Sequence, residues 1–169
     1  MQSNQVQPNN KQLDLERYVP ALVTFLSNKL SSGASNCYRK HFDIGVIEWR
    51  ILAMLKIEPN ISANRISHVI GLDKAAISRG LKHLLESELV SFIKDSKDAR
   101  SSLISLTAKG EKLHDRVLLV ALEREKLLLS GLSNQELDIL VKALLKLNQN
   151  VKKVNAFDPT LENEYSQAV

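Results

Sequence analysis

The chain has 169 residues, 44% hydrophobic and 25% charged, which is enough for one globular domain with an appendage but too little for two enzyme domains. Low aromatic content (5%), few Gly and Pro, and frequent Leu and Ile favour a mainly helical fold. No apolar run is long enough for a membrane span and no secretory signal is present, so we expect a cytoplasmic protein that does not bind membranes. The single cysteine, Cys37, excludes an intramolecular disulfide and a cysteine-based zinc site.

The net charge of +4 is unevenly distributed along the chain. Residues 1–110 contain fifteen Lys and Arg against ten Asp and Glu, a net +5, whereas residues 111–169 contain eight against nine, a net −1. A dimer would double the positive field of the first part, and such a field attracts a polyanion such as DNA. Taken alone, this charge would favour an ordinary solvated surface.

The first part of the chain contains a tail and two predicted helices. Residues 1–12 are rich in Asn and Gln, and we expect them to be a mobile tail. Leu, Tyr and Phe at three- and four-residue spacing then predict a helix from Leu13 to about Cys37, unless Pro20 marks its start. Asp43 is a candidate cap for the second helix.

Two short helices follow in close succession. Ser62 and Asp73 are typical helix caps, and Gly71 supplies the permissive residue at the end of the first short helix. So tight a turn is typical of a helix-turn-helix unit, although similar hairpins occur in many helical proteins. The second short helix has apolar residues on one side, with Ile77, Leu81, Leu84 and Leu85 predicted to face inward. Short and basic residues occupy its other side: Ala75, Ser78, Arg79 and Lys82.

A hairpin and two leucine-rich helices complete the fold. Strands are predicted at 89–94 and 102–106, with a charged tip between them. Thr107 caps the first leucine-rich helix, and Ser133 with Glu136 forms a capping box for the second. Their leucines cover more than one face, which favours subunit association over a wholly intramolecular bundle. The predicted organisation is a tail at 1–12, a helical dimerisation region at 13–42 and 107–154, a winged helix-turn-helix lobe at 43–106 and a polar tail at 155–169.

This mainly α winged helix-turn-helix, with a two-stranded β-wing and long flanking helices, suits double-stranded DNA. A major groove admits one helix, whose small residues allow close approach while Arg79 and Lys82 reach base edges or phosphates. Arg100 at the wing tip can enter a narrow minor groove, and Asp98 can hold its guanidinium in place. The predicted DNA-contacting residues are Ser62, Asn64, Arg65, Lys74, Ala75, Ser78, Arg79, Lys82, Lys94, Lys97, Asp98 and Arg100.

Several motifs occur at characteristic separations. The second short helix contains Asp73-Lys74-x-x-x-Ser78-Arg79, the hairpin contains Asp98-x-Arg100, and its exit reads Leu103-x-x-Leu106-Thr107-x-x-Gly110. These motifs resemble the multiple-antibiotic-resistance regulator (MarR) family, and the resemblance covers about residues 13–150. The other residues that contribute to it are Leu81, Leu84, Glu86, Leu89-Val90 and Glu48-Trp49-Arg50. The resemblance implies an obligate homodimer formed by helices from both chain ends. It also implies a transcription regulator, usually a repressor that a small ligand releases from a palindromic operator.

One residue departs from the family pattern. Many relatives carry a second wing arginine where this chain has Ala99, which leaves Arg100 to act with Lys97 and Lys94.

The resemblance also places an effector pocket where the first, second and dimer-forming helices meet. The polar and aromatic residues in or near these segments combine a cation, an imidazole and an aromatic ring, which suits a small aromatic carboxylate. Some relatives that are similar around Glu48-Trp49-Arg50 respond to hydroxycinnamate-type acids. A structural ion pair is the alternative role for Arg50. The predicted ligand-binding residues are Ser31, His41, Trp49 and Arg50.

Other functions are weighed against this one. Cys37 lies beside basic residues that favour a reactive thiolate, so a redox-sensing repressor is one alternative, although a buried inert cysteine is the simpler interpretation. A winged helix used only for protein contacts is another, and the salt dependence of duplex binding distinguishes it. The sequence has no metalloprotease, P-loop, nucleophile-elbow or dinucleotide motif, and its four histidines are dispersed. We therefore expect no catalysis, no metal and no cofactor.

Overall fold

The computed structural model describes residues 13–94 and 102–159. The described elements follow the predicted order, which confirms the mainly helical winged helix-turn-helix. The chain divides between Val120 and Ala121 into two compact units. Within the described ranges, no helix combines the length and apolarity needed to cross a bilayer. The elements are α1 (Val19–Phe42), α2 (Val46–Ile57), α3 (Ala63–Ile70), α4 (Lys74–Glu86), β1 (Val90–Lys94), β2 (Ser102–Leu106), α5 (Ala108–Leu129) and α6 (Asn134–Asn155).

The core of the first unit lies where α2, α3 and α4 pack against one another. Ile51 and Leu55 of α2, Ile66 of α3 and Leu84 of α4 are almost completely buried. Gly80 permits the close approach of α4 to α2, because a Cβ at this position would lie 2.9 Å from Cδ1 of Ile51. Helix α4 therefore packs directly on α2.

Side-chain caps fix the ends of the short helices as predicted. The Ser62 hydroxyl accepts a hydrogen bond from the Arg65 backbone N–H at 3.2 Å, and the Asp73 carboxylate accepts one from the Ala76 N–H at 2.8 Å. Gly71 ends α3 with a φ of 74°, a left-handed conformation that favours glycine. These bonds satisfy backbone donors that the helices cannot satisfy themselves.

The boundaries around α1 differ from those predicted. Pro20 stands in the first turn of α1, where its missing N–H costs nothing, so the later of the two predicted starts is correct. Asp43 does not cap α2; it ends α1 with a φ of 58°, and its N–H donates to the Arg39 carbonyl at 3.2 Å. The cap position of α2 belongs to Gly45, whose N–H donates to the Glu48 carboxylate at 3.0 Å.

Leu85 in α4, which was predicted to face inward, is 47% exposed. Val69 in α3 is likewise 46% exposed. Each helix is short and buries a narrow stripe, so an apolar residue beside that stripe remains at the surface.

The wing is an antiparallel hairpin in which Val90 pairs with Leu106 and Lys94 with Ser102. An isolated bridge joins Ile61, just before α3, to Ile104 in β2, with hydrogen bonds of 3.3 and 2.9 Å in the two directions. The hairpin is thereby tied to the start of the helix-turn-helix.

The entry of α5 lies directly against the backbone that leads into β1. The Thr107 hydroxyl donates to the Glu88 carbonyl at 2.7 Å and accepts from the Gly110 N–H at 3.0 Å, and the Thr107 N–H donates to the Leu89 carbonyl. Gly110 is buried, and a Cβ built on it would collide with that Leu89 carbonyl. Position 110 therefore accommodates only glycine without a backbone shift.

In the second unit, α6 buries none of its side chains within one chain. Five of its apolar residues form a stripe at alternating four- and three-residue spacing, and each of the five is at least 40% exposed. In the first unit, α1 likewise leaves a row of large apolar side chains exposed, including Leu22, Phe25 and Leu26. The stripe of α6 consists of Leu140, Leu144, Leu147, Val151 and Val154.

Candidate nucleic-acid interface

The predicted recognition face of α4 lies entirely at the surface. Buried Ile77, Leu81 and Leu84 hold the helix by its opposite side. Within the described part of the chain, Arg79 and Lys74 form no ion pair, so both cations are available to an incoming anion. Lys82 lies 3.8 Å from Glu86, but both side chains are well exposed and such a pair is weak. The exposed residues of this face are Lys74, Ala75, Ser78, Arg79 and Lys82.

The beginning of α3 carries the other predicted contacts of the helix-turn-helix. The Ser62 hydroxyl is occupied as a cap, whereas Asn64 is exposed. Arg65 is also at the surface, but the Glu58 carboxylate accepts hydrogen bonds from its Nε at 3.2 and 3.3 Å and from its Nη2 at 3.0 Å. These bonds, together with the attraction of opposite charges, raise the pKa of Arg65 above its ordinary value.

The structure describes both strands of the wing but not residues 95–101, which join them. Lys94 is exposed at the end of β1. Lys97, Asp98 and Arg100, the predicted minor-groove contacts, lie outside the described residues.

Two of the four predicted ligand-binding residues, Ser31 and Arg50, contact each other. Arg50 Nη2 donates to the Ser31 hydroxyl at 2.8 Å, and among the described residues Arg50 forms no ion pair with a carboxylate. The Trp49 ring stacks on His114 with 5.4 Å between centroids. His41 is exposed on the last turn of α1, where it lies edge-on to Phe42.

His114 is a buried member of this region that the sequence reasoning missed. Trp49 lies between His114 and the buried Tyr38, at 5.4 and 6.1 Å between ring centroids. The imidazole Nδ1 of His114 is 2.9 Å from Asp115 Oδ1, and this hydrogen bond lowers the pKa of Asp115. The spacing of Gly110, His114 and Val117 on one face of α5 was the available signal.

A cavity of about 580 Å³ opens between the α1–α2 connection, the end of α4 and the first turns of α5. Apolar side chains form much of its wall, and none of the four predicted ligand-binding residues lines it. Its lining residues are Phe42, Asp43, Ile44, Ser87, Leu89, Ala108, Lys109, Lys112, Leu113 and Arg116.

Three cations at the cavity come from one face of α5. Lys109, Lys112 and Arg116 follow one another at intervals of three and four residues, and Asp43 supplies the opposing carboxylate. The Lys109 ammonium is 3.4 Å from Glu88, and the Arg116 guanidinium lies 5.5 Å from the centre of the Phe42 ring. Cations beside apolar walls suit an amphipathic organic anion. The described residues contain no cluster of His, Cys, Asp and Glu that could hold a metal ion.

Comparisons with known proteins agree with this arrangement. A model of the MarR family matches residues 42–101. A MarR/EmrR family transcriptional regulator from Acinetobacter sp. ADP1 has a similar structure, with 37% sequence identity, a TM-score of 0.78, and coverage of 83% of this chain and 99% of that chain.

Two more distant solved structures share the fold. The S. aureus MepR-DNA complex has 23% identity and a TM-score of 0.69, with 79% of this chain and 97% of that chain covered. The PcaV transcriptional regulator from Streptomyces coelicolor, solved in complex with its natural ligand, has 19% identity and a TM-score of 0.70, with coverage of 83% and 98%.

Proposed function

This chain belongs to the MarR family of DNA-binding transcriptional regulators, and we propose on that premise that it is a homodimeric repressor of a palindromic operator, released by a small aromatic carboxylate. The observation that carries the DNA-binding part is the exposed face of α4, where Lys74 and Arg79, which form no ion pair with any described residue, stand beside short side chains. Such a face lets a helix enter the major groove and present its basic residues to base edges and phosphates.

Arg79 is proposed to read a base, with Lys74, Ser78, Lys82, Asn64, Arg65 and Lys94 contacting the duplex around it. Replacing Arg79 with alanine is then expected to weaken binding to the chain's own upstream intergenic duplex by about 1–3 kcal/mol, or roughly 5- to 150-fold. Fluorescence anisotropy at several salt concentrations, with an unrelated duplex for comparison, measures this loss. Lys40→Ala is the control, because it removes one exposed cation outside α3, α4 and the hairpin.

The proposed base contact by Arg79 would be wrong if the variant and the parent bound both duplexes alike. Weak binding by the parent, equal on both duplexes and insensitive to salt, would instead favour a winged helix used for protein contacts. Selective binding that weakens steeply with salt supports the operator-binding function, because neutralised phosphates release counterions.

The effector is proposed to bind in the cavity at the start of α5. Lys112 and Arg116 are placed to hold a carboxylate, and Phe42 and Leu113 to contact its apolar ring. A ligand that favours a different spacing of the two recognition helices shifts the population away from the spacing of about 34 Å that successive major grooves require. The alternative place is the region of Ser31, His41, Trp49 and Arg50.

Arg116→Gln is expected to weaken binding of 4-hydroxycinnamate by about tenfold or more, because it removes a charge-assisted contact. Thermal unfolding measures the effect, since a ligand at 100 times its dissociation constant stabilises the folded parent by about 2.7 kcal/mol. The uncharged 4-hydroxycinnamamide is the matched ligand control. Loss of stabilisation in Arg50→Gln but not in Arg116→Gln would move the effector to the alternative place.

A further inference from the structure

The turn between α2 and α3 brings a carboxylate onto the proposed DNA-binding surface. Glu58 follows the last residue of α2, and the chain reverses through Asn60, whose φ of 59° is left-handed. The reversal places Glu58 beside Arg65, seven residues later, where the two side chains form three hydrogen bonds of 3.0 to 3.3 Å.

The pair occupies one defined edge of the guanidinium. Nε and Nη2 of Arg65 both donate to Glu58, which leaves the Nη1 edge for another acceptor. The backbone of Arg65 is fixed as well, because its N–H donates to the Ser62 cap. Arg65 is therefore held at both its backbone and its head group, unlike Arg79, which has no ion pair among the described residues.

We propose that Glu58 is a specificity-determining residue for DNA binding, which restricts Arg65 to phosphates in the correct register. This inference rests on the proposed docking of the start of α3 on the duplex. An unpaired arginine on a flexible stem reaches phosphates in many registers and strengthens non-specific binding. With Glu58 in place, the guanidinium offers one edge in one direction, and the carboxylate repels a phosphate backbone that approaches elsewhere.

Both side chains of the pair are partly exposed, at 48% for Arg65 and 40% for Glu58. Water and salt screen such a pair, so it restricts the arginine without preventing a well-placed phosphate from binding. Glu58 is therefore expected to affect binding to the unrelated duplex more than binding to the upstream duplex.

The test compares Glu58→Gln with Glu111→Gln. Both changes remove one negative charge from a partly exposed ion pair, and Glu111 pairs with Lys56 at 3.6 Å on α5 and α2. Glu58→Gln is expected to strengthen binding to an unrelated duplex about fivefold at low salt, and to steepen its log–log salt dependence by about 0.9 for one added phosphate contact. Binding to the upstream duplex should change less than about twofold, since that contact already exists there. Glu111→Gln should change neither affinity.

A double-mutant cycle shows whether the effect passes through Arg65. In an Arg65→Gln background, Glu58→Gln is expected to leave binding to the unrelated duplex unchanged. Equal strengthening on both duplexes, or the same gain with Arg65 absent, would overturn the proposal and leave general electrostatics as the cause. If the parent did not prefer the upstream duplex, the proposed operator binding itself would be wrong. If the parent bound selectively and Glu58→Gln bound both duplexes with the parent's affinities, only the proposed role of Glu58 would be wrong.

Discussion

Gly110→Ala is expected to lower the free energy of unfolding by about 2–4 kcal/mol, because the new methyl group would occupy the position of a backbone carbonyl. The Leu89 carbonyl cannot withdraw cheaply, since it accepts a hydrogen bond from the Thr107 N–H at 3.1 Å. Glu88, one residue earlier, is already in a left-handed conformation with a φ of 59°, which leaves little freedom to absorb a shift. The loss of stability therefore arises where the hairpin meets α5, the helix that carries the cations of the cavity.

Gly131→Ala provides the matched control. A Cβ at Gly131 has no neighbouring atom within 4 Å, and its backbone is not left-handed, so alanine there should be neutral or slightly stabilising through the unfolded chain. Urea or thermal unfolding followed by circular dichroism measures both variants. If the two glycines tolerated alanine equally well, the packing of α5 against Leu89 would have to be looser than the structure shows.

Features that depend on neighbouring residues in the chain could be predicted from the sequence. Ser62 and Asp73 cap their helices because each oxygen needs only a backbone N–H three residues later. The exposed face of α4 follows in the same way from helical periodicity. These local rules predicted the cap and the exposed face of the proposed DNA-binding helix.

Features that depend on long-range packing could not be predicted. Asp43 looked like a helix cap, but burial of Ile44 and the bond between Gly45 and Glu48 move the start of α2 two residues on. The cavity joins α1, α4 and α5, segments that no sequence period relates. Glu58 and Arg65 are close because the intervening turn reverses the chain, and nothing in their spacing alone signals a pair.

Leu144→Glu is expected to abolish the proposed homodimer at micromolar concentration, with a rise in its dissociation constant of about 1,000-fold or more. The apolar stripe of α6 follows the spacing of a packed helical seam, and α6 buries none of its residues within one chain. Full burial of one leucine stabilises by about 1.5–3 kcal/mol, and a two-fold interface contains each position twice. A glutamate in the seam adds the cost of removing a charge from water.

Gln149→Glu is the matched control for this dimer prediction. It adds the same single negative charge to the same helix, but Gln149 lies on the face opposite Leu144 and Leu147, so the variant should remain dimeric. Sedimentation equilibrium measures the molecular mass, and the midpoint of thermal unfolding should rise with protein concentration for the parent and Gln149→Glu.

A parent that sedimented as a monomer at micromolar concentration would contradict the proposed homodimer. It would also remove the fixed spacing of two recognition helices on which the proposed release by an effector depends. A dimeric Leu144→Glu variant would place the interface on other surfaces, such as the exposed apolar row of α1 with Leu22, Phe25 and Leu26. Because the proposed operator binding requires two linked lobes, monomeric Leu144→Glu should also lose selective binding to the upstream duplex while its winged helix-turn-helix stays folded.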